Sequence, residues 1–175
     1  MPEPVKGSNV FMSTGLRWLW LVIVVFVVDQ LSKHLVIANL ALYEPVSVMP
    51  SLNLTYAENR GAAFSFLSSA SGWQRWFFIA LALGVSTVLF VWLSRLAASQ
   101  RLQACALALI LGGALGNLWD RMAYGYVIDF IDVYYAAWHF PVFNVADSAI
   151  TIGAILLILD TLLESRSSAS THREE

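Results

Sequence analysis

Residues 18–37 read WLWLVIVVFVVDQLSKHLVI. No polar side chain but the tryptophan N–H groups interrupts Trp18–Val28. The stretch matches the ~20 helical residues needed to cross hydrocarbon about 30 Å thick. Asp29-Gln30-Leu31-Ser32-Lys33 follows without an A-x-A cleavage pattern, so the segment reads as a retained anchor and not as a signal peptide. Three more stretches qualify as spans: Trp76–Leu93, Leu102–Trp119 and Val145–Leu163.

Composition agrees. The 175 residues are 58% hydrophobic and 13% charged, and the mean hydropathy is +0.67. A soluble domain of this size has too little interior for so much apolar surface. The net charge of −2 argues against a basic nucleic-acid-binding face, so no nucleic acid is expected as a partner. The one cysteine, Cys105, lies in the apolar run Ala104–Leu111; it rules out an internal disulfide framework and reads as packing. The fold class expected is therefore an all-α membrane protein. It is a single integral membrane domain over 1–175, a bundle of four transmembrane helices at about 18–37, 76–93, 102–119 and 145–163. Connections at about 38–75 and 120–144 lie on one side, and polar, mobile tails at 1–15 and 165–175 on the other.

Basic residues set the orientation. Lys6, Arg17, Arg95, Arg101, Arg166 and Arg173 all fall on the side of the two tails and the short second connection, which is then cytoplasmic. The long connections face outward. Leu52-Asn53-Leu54-Thr55-Tyr56 alternates as a half-exposed strand does, after a segment punctuated by Pro45 and Pro50. Tyr126–Tyr135 is rich in β-branched and aromatic residues. A small extramembrane sheet over the outer ends of the spans is expected. Gly112-x-x-x-Gly116 and Ala149-x-x-x-Gly153 read as helix-packing positions.

The polar residues collect at that outer end. Asp29 and Lys33 stand i,i+4 in the first span, a structural pair. Asn117, Asp120 and Arg121 close the third span, where Asp120 and Arg121 could form a simple interfacial stop. Asn144 and Asp147 open the fourth as an N-cap with an acid three residues on. Asp129 interrupts a bulky apolar run and needs a partner, for which Asp147 and Arg121 are candidates. Two carboxylates in a half-dry site share one proton. One can then draw a proton from water while the other protonates a scissile carbonyl, hydrolysing a peptide bond. No H-E-x-x-H, G-x-S-x-G or phosphate-binding glycine loop occurs, and the three histidines are scattered. No metal and no cofactor is expected. Ser32 and Lys33, adjacent on a helix, make a poor dyad.

Five ordered motifs carry a family resemblance: Asp29-Gln30-Leu31-Ser32-Lys33, Asn59-Arg60-Gly61-Ala62-Ala63-Phe64, Gly116-Asn117-Leu118-Trp119-Asp120-Arg121, Val127-Ile128-Asp129-Phe130 and Phe143-Asn144-Val145-Ala146-Asp147-Ser148. Together they resemble bacterial lipoprotein signal peptidase (signal peptidase II). The resemblance implies an aspartic endopeptidase of the bacterial inner membrane, with its active site near the periplasmic face and an extracytoplasmic β-cradle. It implies lipidated prolipoprotein substrates, cut just before the diacylglyceryl-modified cysteine. Membrane lipids and the inhibitor globomycin follow as expected partners. By the same resemblance Asp129 and Asp147 match the catalytic aspartates, and Asn59, Asn117, Arg121 and Asn144 the polar residues that position substrate or support the site. Asp29, Lys33 and Asp120 are taken as structural support. Rival readings are a small proton-coupled transporter or channel subunit, in which Asp29, Lys33 and Asp147 form a relay, and a membrane scaffold without chemistry.

Overall fold

The computed structural model describes residues 14–61 and 73–171, and from 164 onward only the course of the backbone. Lys6, the motif residues Ala62, Ala63 and Phe64, and Arg173 lie outside the described residues.

A short 3-10 turn, Gly15–Trp18, leads into α1 (Leu19–Asn39). Strands β1 (Pro45–Met49) and β2 (Leu52–Asn59) follow, then α2 (Trp73–Arg95) and α3 (Arg101–Ala123). The chain continues through β3 (Val127–Tyr135) and β4 (Trp138–His139) into α4 (Val145–Thr171). All four helices are long and apolar enough to cross a membrane. α3 runs a full turn past Trp119, so Asp120 and Arg121 lie within the helix. The run from Thr14 is anchored: Gly15 N–H donates to the Leu96 carbonyl at 3.0 Å, and the Arg17 guanidinium donates to the Ala98 carbonyl at 2.5 Å.

α3 is the central helix and packs on the other three. Its sequence explains why. Ala104, Ala108, Gly112 and Gly116 recur every four residues and form a smooth buried stripe. A Cβ at Gly112 would sit 2.8 Å from Val25 Cβ of α1, and one at Gly113 would run into the Ala146 carbonyl of α4. The bundle's outward surface stays apolar: Ile23, Val27, Leu31 and Leu35 of α1 and Ile152, Ile155, Leu159 and Leu162 of α4 are exposed. Such a surface suits lipid and not water.

The strands form one antiparallel sheet in the order β1-β2-β3-β4. Tyr56 lies within β2, which reaches on to Asn59; β1 and β4 add two strands to the pair expected from the sequence. Pro45 disguises β1 but is harmless there, because it opens an edge strand where no ladder donor is needed. Alternation along β3 sends Ile128 and Phe130 down onto Val36 near the end of α1. Asp129 points the other way. The β2–β3 register places Ala57 opposite Asp129 and Asn59 opposite Val127, with an irregularity between Leu54 and Ala57. The chain turns from α3 into β3 at Gly125, whose φ of 88° favours glycine.

Candidate active site

Asp129 is only 2% exposed, yet it lines an open cleft of about 1130 Å³. Asn59, at the end of the neighbouring strand, donates from Nδ2 to Asp129 Oδ2 at 2.9 Å. The same amide accepts from Gly61 N–H at 3.1 Å, which fixes its orientation. Burial pushes the Asp129 carboxyl up to about 7, and the charge of Asp147 acts in the same direction. The donors Asn59 and Asn144, and the more distant Lys33, pull the other way and only partly offset this.

Asp147 enters the same cleft from the first turn of α4. The capping reading of this helix start holds. Asn144 Oδ1 accepts from Asp147 N–H at 2.9 Å, and Asp147 Oδ2 accepts from Asn144 N–H at 3.3 Å, a reciprocal capping box. Capping leaves Asp147 Oδ1 to a second helix, where Asn117 Nδ2 donates to it at 2.8 Å.

Asn144 joins the two acids. Its backbone N–H serves Asp147, while its side-chain Nδ2 donates to Asp129 Oδ1 at 2.7 Å. The same Nδ2 lies 3.2 Å from Asn117 Oδ1 and 3.3 Å from the Ile128 carbonyl. Asn144 is wholly buried, so it cannot swing away into solvent. The i,i+3 spacing in the sequence shows the cap; the link to Asp129 depends on how β3 packs beside α4.

Beneath this pair lies a charged cluster that is closed to solvent. Lys33 Nζ is 2.8 Å from both Asp29 Oδ2 and Asp120 Oδ2, and all three side chains are fully buried. Each acid also holds a backbone donor: Ala146 N–H to Asp29 at 2.9 Å, and Ile128 N–H to Asp120 at 3.2 Å. The cluster therefore ties α1 and α3 to the start of α4 and the start of β3. Lys33 also donates to Asn117 Oδ1 at 3.1 Å, which turns the amide nitrogen of Asn117 toward Asp147. Asp29, Lys33 and Asp120 thus reach the cleft through Asn117 without lining it.

Gln30 stands inside the first-span motif, but the sequence assigned it no role. Its Nε2 reaches Asp120 Oδ1 at 2.9 Å, Asp29 Oδ2 at 3.2 Å and the Gly116 carbonyl at 3.3 Å. Gly116 itself proves to be more than a packing glycine, since a Cβ there would stand 2.5 Å from Asp29 Oδ2. Arg121 lines the cleft but, among the described residues, forms no ion pair with Asp129 or Asp147. It donates to the carbonyls of Gly61 at 3.2 Å and Asn117 at 3.3 Å and lies 5.1 Å over the Phe78 ring. A planar fork braced in this way holds the β2 exit against α3. Ser32 donates to the Asp29 carbonyl of its own helix, as befits a bystander.

Comparisons with known proteins give the chain its family. A model of the family described as Signal peptidase (SPase) II matches residues 21–163. A lipoprotein signal peptidase of Yersinia pseudotuberculosis serotype O:1b (strain IP 31758) is 56% identical over 163 residues, covering 93% of this chain and 96% of the relative. One from Shigella boydii serotype 4 (strain Sb227) is 55% identical over 160 residues, covering 91% and 98%. A bacterial membrane enzyme solved by the in meso method at 2.3 Å resolution superposes with a TM-score of 0.76 at 33% identity, covering 87% of this chain and 90% of that one. Nothing among these relatives favours the transporter reading. The chain belongs to the signal peptidase II family.

Proposed function

We propose that this chain is an aspartic endopeptidase that removes the signal peptide from prolipoproteins, cutting just before a diacylglyceryl-modified cysteine. The observation that carries the reading is Asn144, one buried residue hydrogen-bonded to both Asp129 and Asp147 at the wall of one cleft. Asp129, with its carboxyl pushed up to about 7, is assigned the shared proton. Asp147 then draws a proton from water as the water oxygen attacks the scissile carbonyl carbon, and Asp129 protonates the carbonyl oxygen. Collapse of the tetrahedral species breaks the C–N bond: the proton gathered by Asp147 leaves with the amine, and one hydroxyl proton of the tetrahedral species returns to Asp129, which restores the shared proton. Asn59, Asn117 and Asn144 hold the acids in place, and Arg121 braces the cleft wall. Asp29, Lys33 and Asp120 position Asn117.

The bundle sits in the bacterial inner membrane with both termini cytoplasmic and the sheet and cleft at the periplasmic face. Arg17, Arg95 and Arg101 support this by gathering at the bundle end opposite the sheet. The apolar wall of the cleft, Ile150 and Ile152 on α4, suits a signal peptide and its lipid, and globomycin should compete there.

The test is cleavage of a diacylglyceryl-modified precursor by the purified chain in lipid. A new N-terminus at the modified cysteine, undiminished by a metal chelator and blocked by globomycin, is the expected result. Cleavage that stops on chelation and returns with added metal would replace the aspartic reading with a metal-dependent one.

A further inference from the structure

Beyond the acid, α4 lines the cleft with Ser148, Ile150, Thr151 and Ile152. Thr151 follows Asp147 by four residues, so the two side chains share one face of the helix, ~6 Å apart along its axis. The helix leads away from the sheet. Ala146 faces Gly113 of α3, while Gly153 faces Ala106 and Ile110, farther from the α3 end that runs into β3. Thr151 is therefore the side chain directly below the acid, one turn deeper in the bundle, and it stands between two isoleucines.

Its hydroxyl is uncommitted. Ser32, Thr87, Ser94, Ser148 and Thr161 each donate to a carbonyl three or four residues back in the chain. Thr151 makes no such bond and none to any other described residue, and its side chain is exposed. Water can serve it while the cleft is open. A substrate that fills the cleft with an apolar leader and acyl chains expels that water, and a hydroxyl left without a partner in apolar surroundings costs free energy. The acceptors such a substrate carries at this depth are carbonyl oxygens. An extended peptide advances ~3.3 Å per residue, so ~6 Å reaches back about two residues before the scissile bond. The ester carbonyls of the diacylglyceryl group, joined to the cysteine through a thioether and a glycerol carbon, lie at a similar remove.

We propose that Thr151 is a substrate-binding residue whose hydroxyl donates to a carbonyl oxygen of the precursor one helical turn below Asp147, from the leader backbone or from a diacylglyceryl ester. The inference rests on the peptidase reading and deepens it. The membrane side of the site reads its substrate by a hydrogen bond as well as by apolar contact.

The experiment measures KM and kcat in lipid for wild type, Thr151→Val and Thr151→Ser. Two precursors are used: a diacylglyceryl-modified one and its dialkyl ether analogue, which has no ester carbonyl. Thr151→Val keeps the shape of the side chain and removes the donor. On the diacyl precursor it should raise KM about 3- to 10-fold, the scale of one hydrogen bond, with kcat little changed. Thr151→Ser, which keeps the hydroxyl, should restore most of that loss. The same ratio of Thr151→Val to wild type on the ether analogue assigns the bond to a leader carbonyl, and a ratio of one assigns it to an ester. A wild-type KM for Thr151→Val on the diacyl precursor overturns the inference, as does a rise that Thr151→Ser fails to reverse. Wild-type cleavage of the diacyl precursor, lost in Asp129→Asn, checks the peptidase reading separately.

Discussion

At the scale of single residues, Asp129 is the most informative group. Its proton is held to about 7, so kcat/KM should fall as pH rises through that value and the pair loses the proton it shares. The sign for stability follows from the same shift. A carboxyl raised from 3.8 binds its proton more tightly when folded, so its contribution is full below 3.8 and is lost as pH rises to about 7. Asp129→Asn should therefore flatten the pH dependence of unfolding between about 4 and 7, measured by thermal shift in detergent. Lys33 makes a second residue-scale case. Lys33→Met leaves Asp29 and Asp120 buried and facing each other without a cation, a loss of about 3–5 kcal/mol. The measurement is folded yield in lipid; a yield equal to wild type would mean that water enters the cluster. Much of this site was legible in the sequence, because Asp129 stands out in an apolar run and Asn144-x-x-Asp147 announces a cap. The partners of Gln30 and the Asp132–His139 pair were not, since nothing periodic links them and only the packing of α1 on α3 and the β3–β4 hairpin bring them near. Arg121 misled for a related reason: charge suggested a carboxylate partner, while geometry gives it carbonyls and a ring.

Among the elements, α3 decides most. Its glycines are separable by what surrounds them. Gly116→Ala places a methyl against the Asp29 carboxylate and should cost about 1–3 kcal/mol through overpacking. Gly84→Ala on α2 meets nothing within 4 Å and should be neutral or slightly stabilising. Unfolding of the two variants side by side checks the contrast; equal losses would mean that the Gly116 contact relaxes freely. Long apolar runs showed all four helices in the sequence, because lipid demands length and hydrophobicity together. Their ends were harder to place. α3 keeps its helix through Ala123 because Asp120 finds Lys33, Gln30 and the Ile128 N–H inside the protein, which hydropathy alone does not register. The edge strand β1 stayed hidden behind Pro45 and Pro50, and β4 is too short to show a pattern.

The whole molecule combines an apolar bundle with a polar upper end, and its orientation is testable without enzymology. Reporter fusions after Gln100 and after Tyr135 should report the cytoplasm and the periplasm respectively. A cytoplasmic signal at Tyr135 would put the cleft on the wrong side for exported precursors. In the proposed mechanism the bundle, the sheet and the buried Lys33 cluster together present one peptide bond to two carboxylates. The most direct measurement of it is turnover per correctly inserted molecule on a diacylglyceryl-modified precursor, for Asp129→Asn, Asp147→Asn and the double variant. Each single change should lower kcat by at least about 10²–10⁴, and the double variant should be little worse, because the two acids act as one unit. Substantial cleavage by either single variant, at wild-type abundance, would contradict the aspartic mechanism.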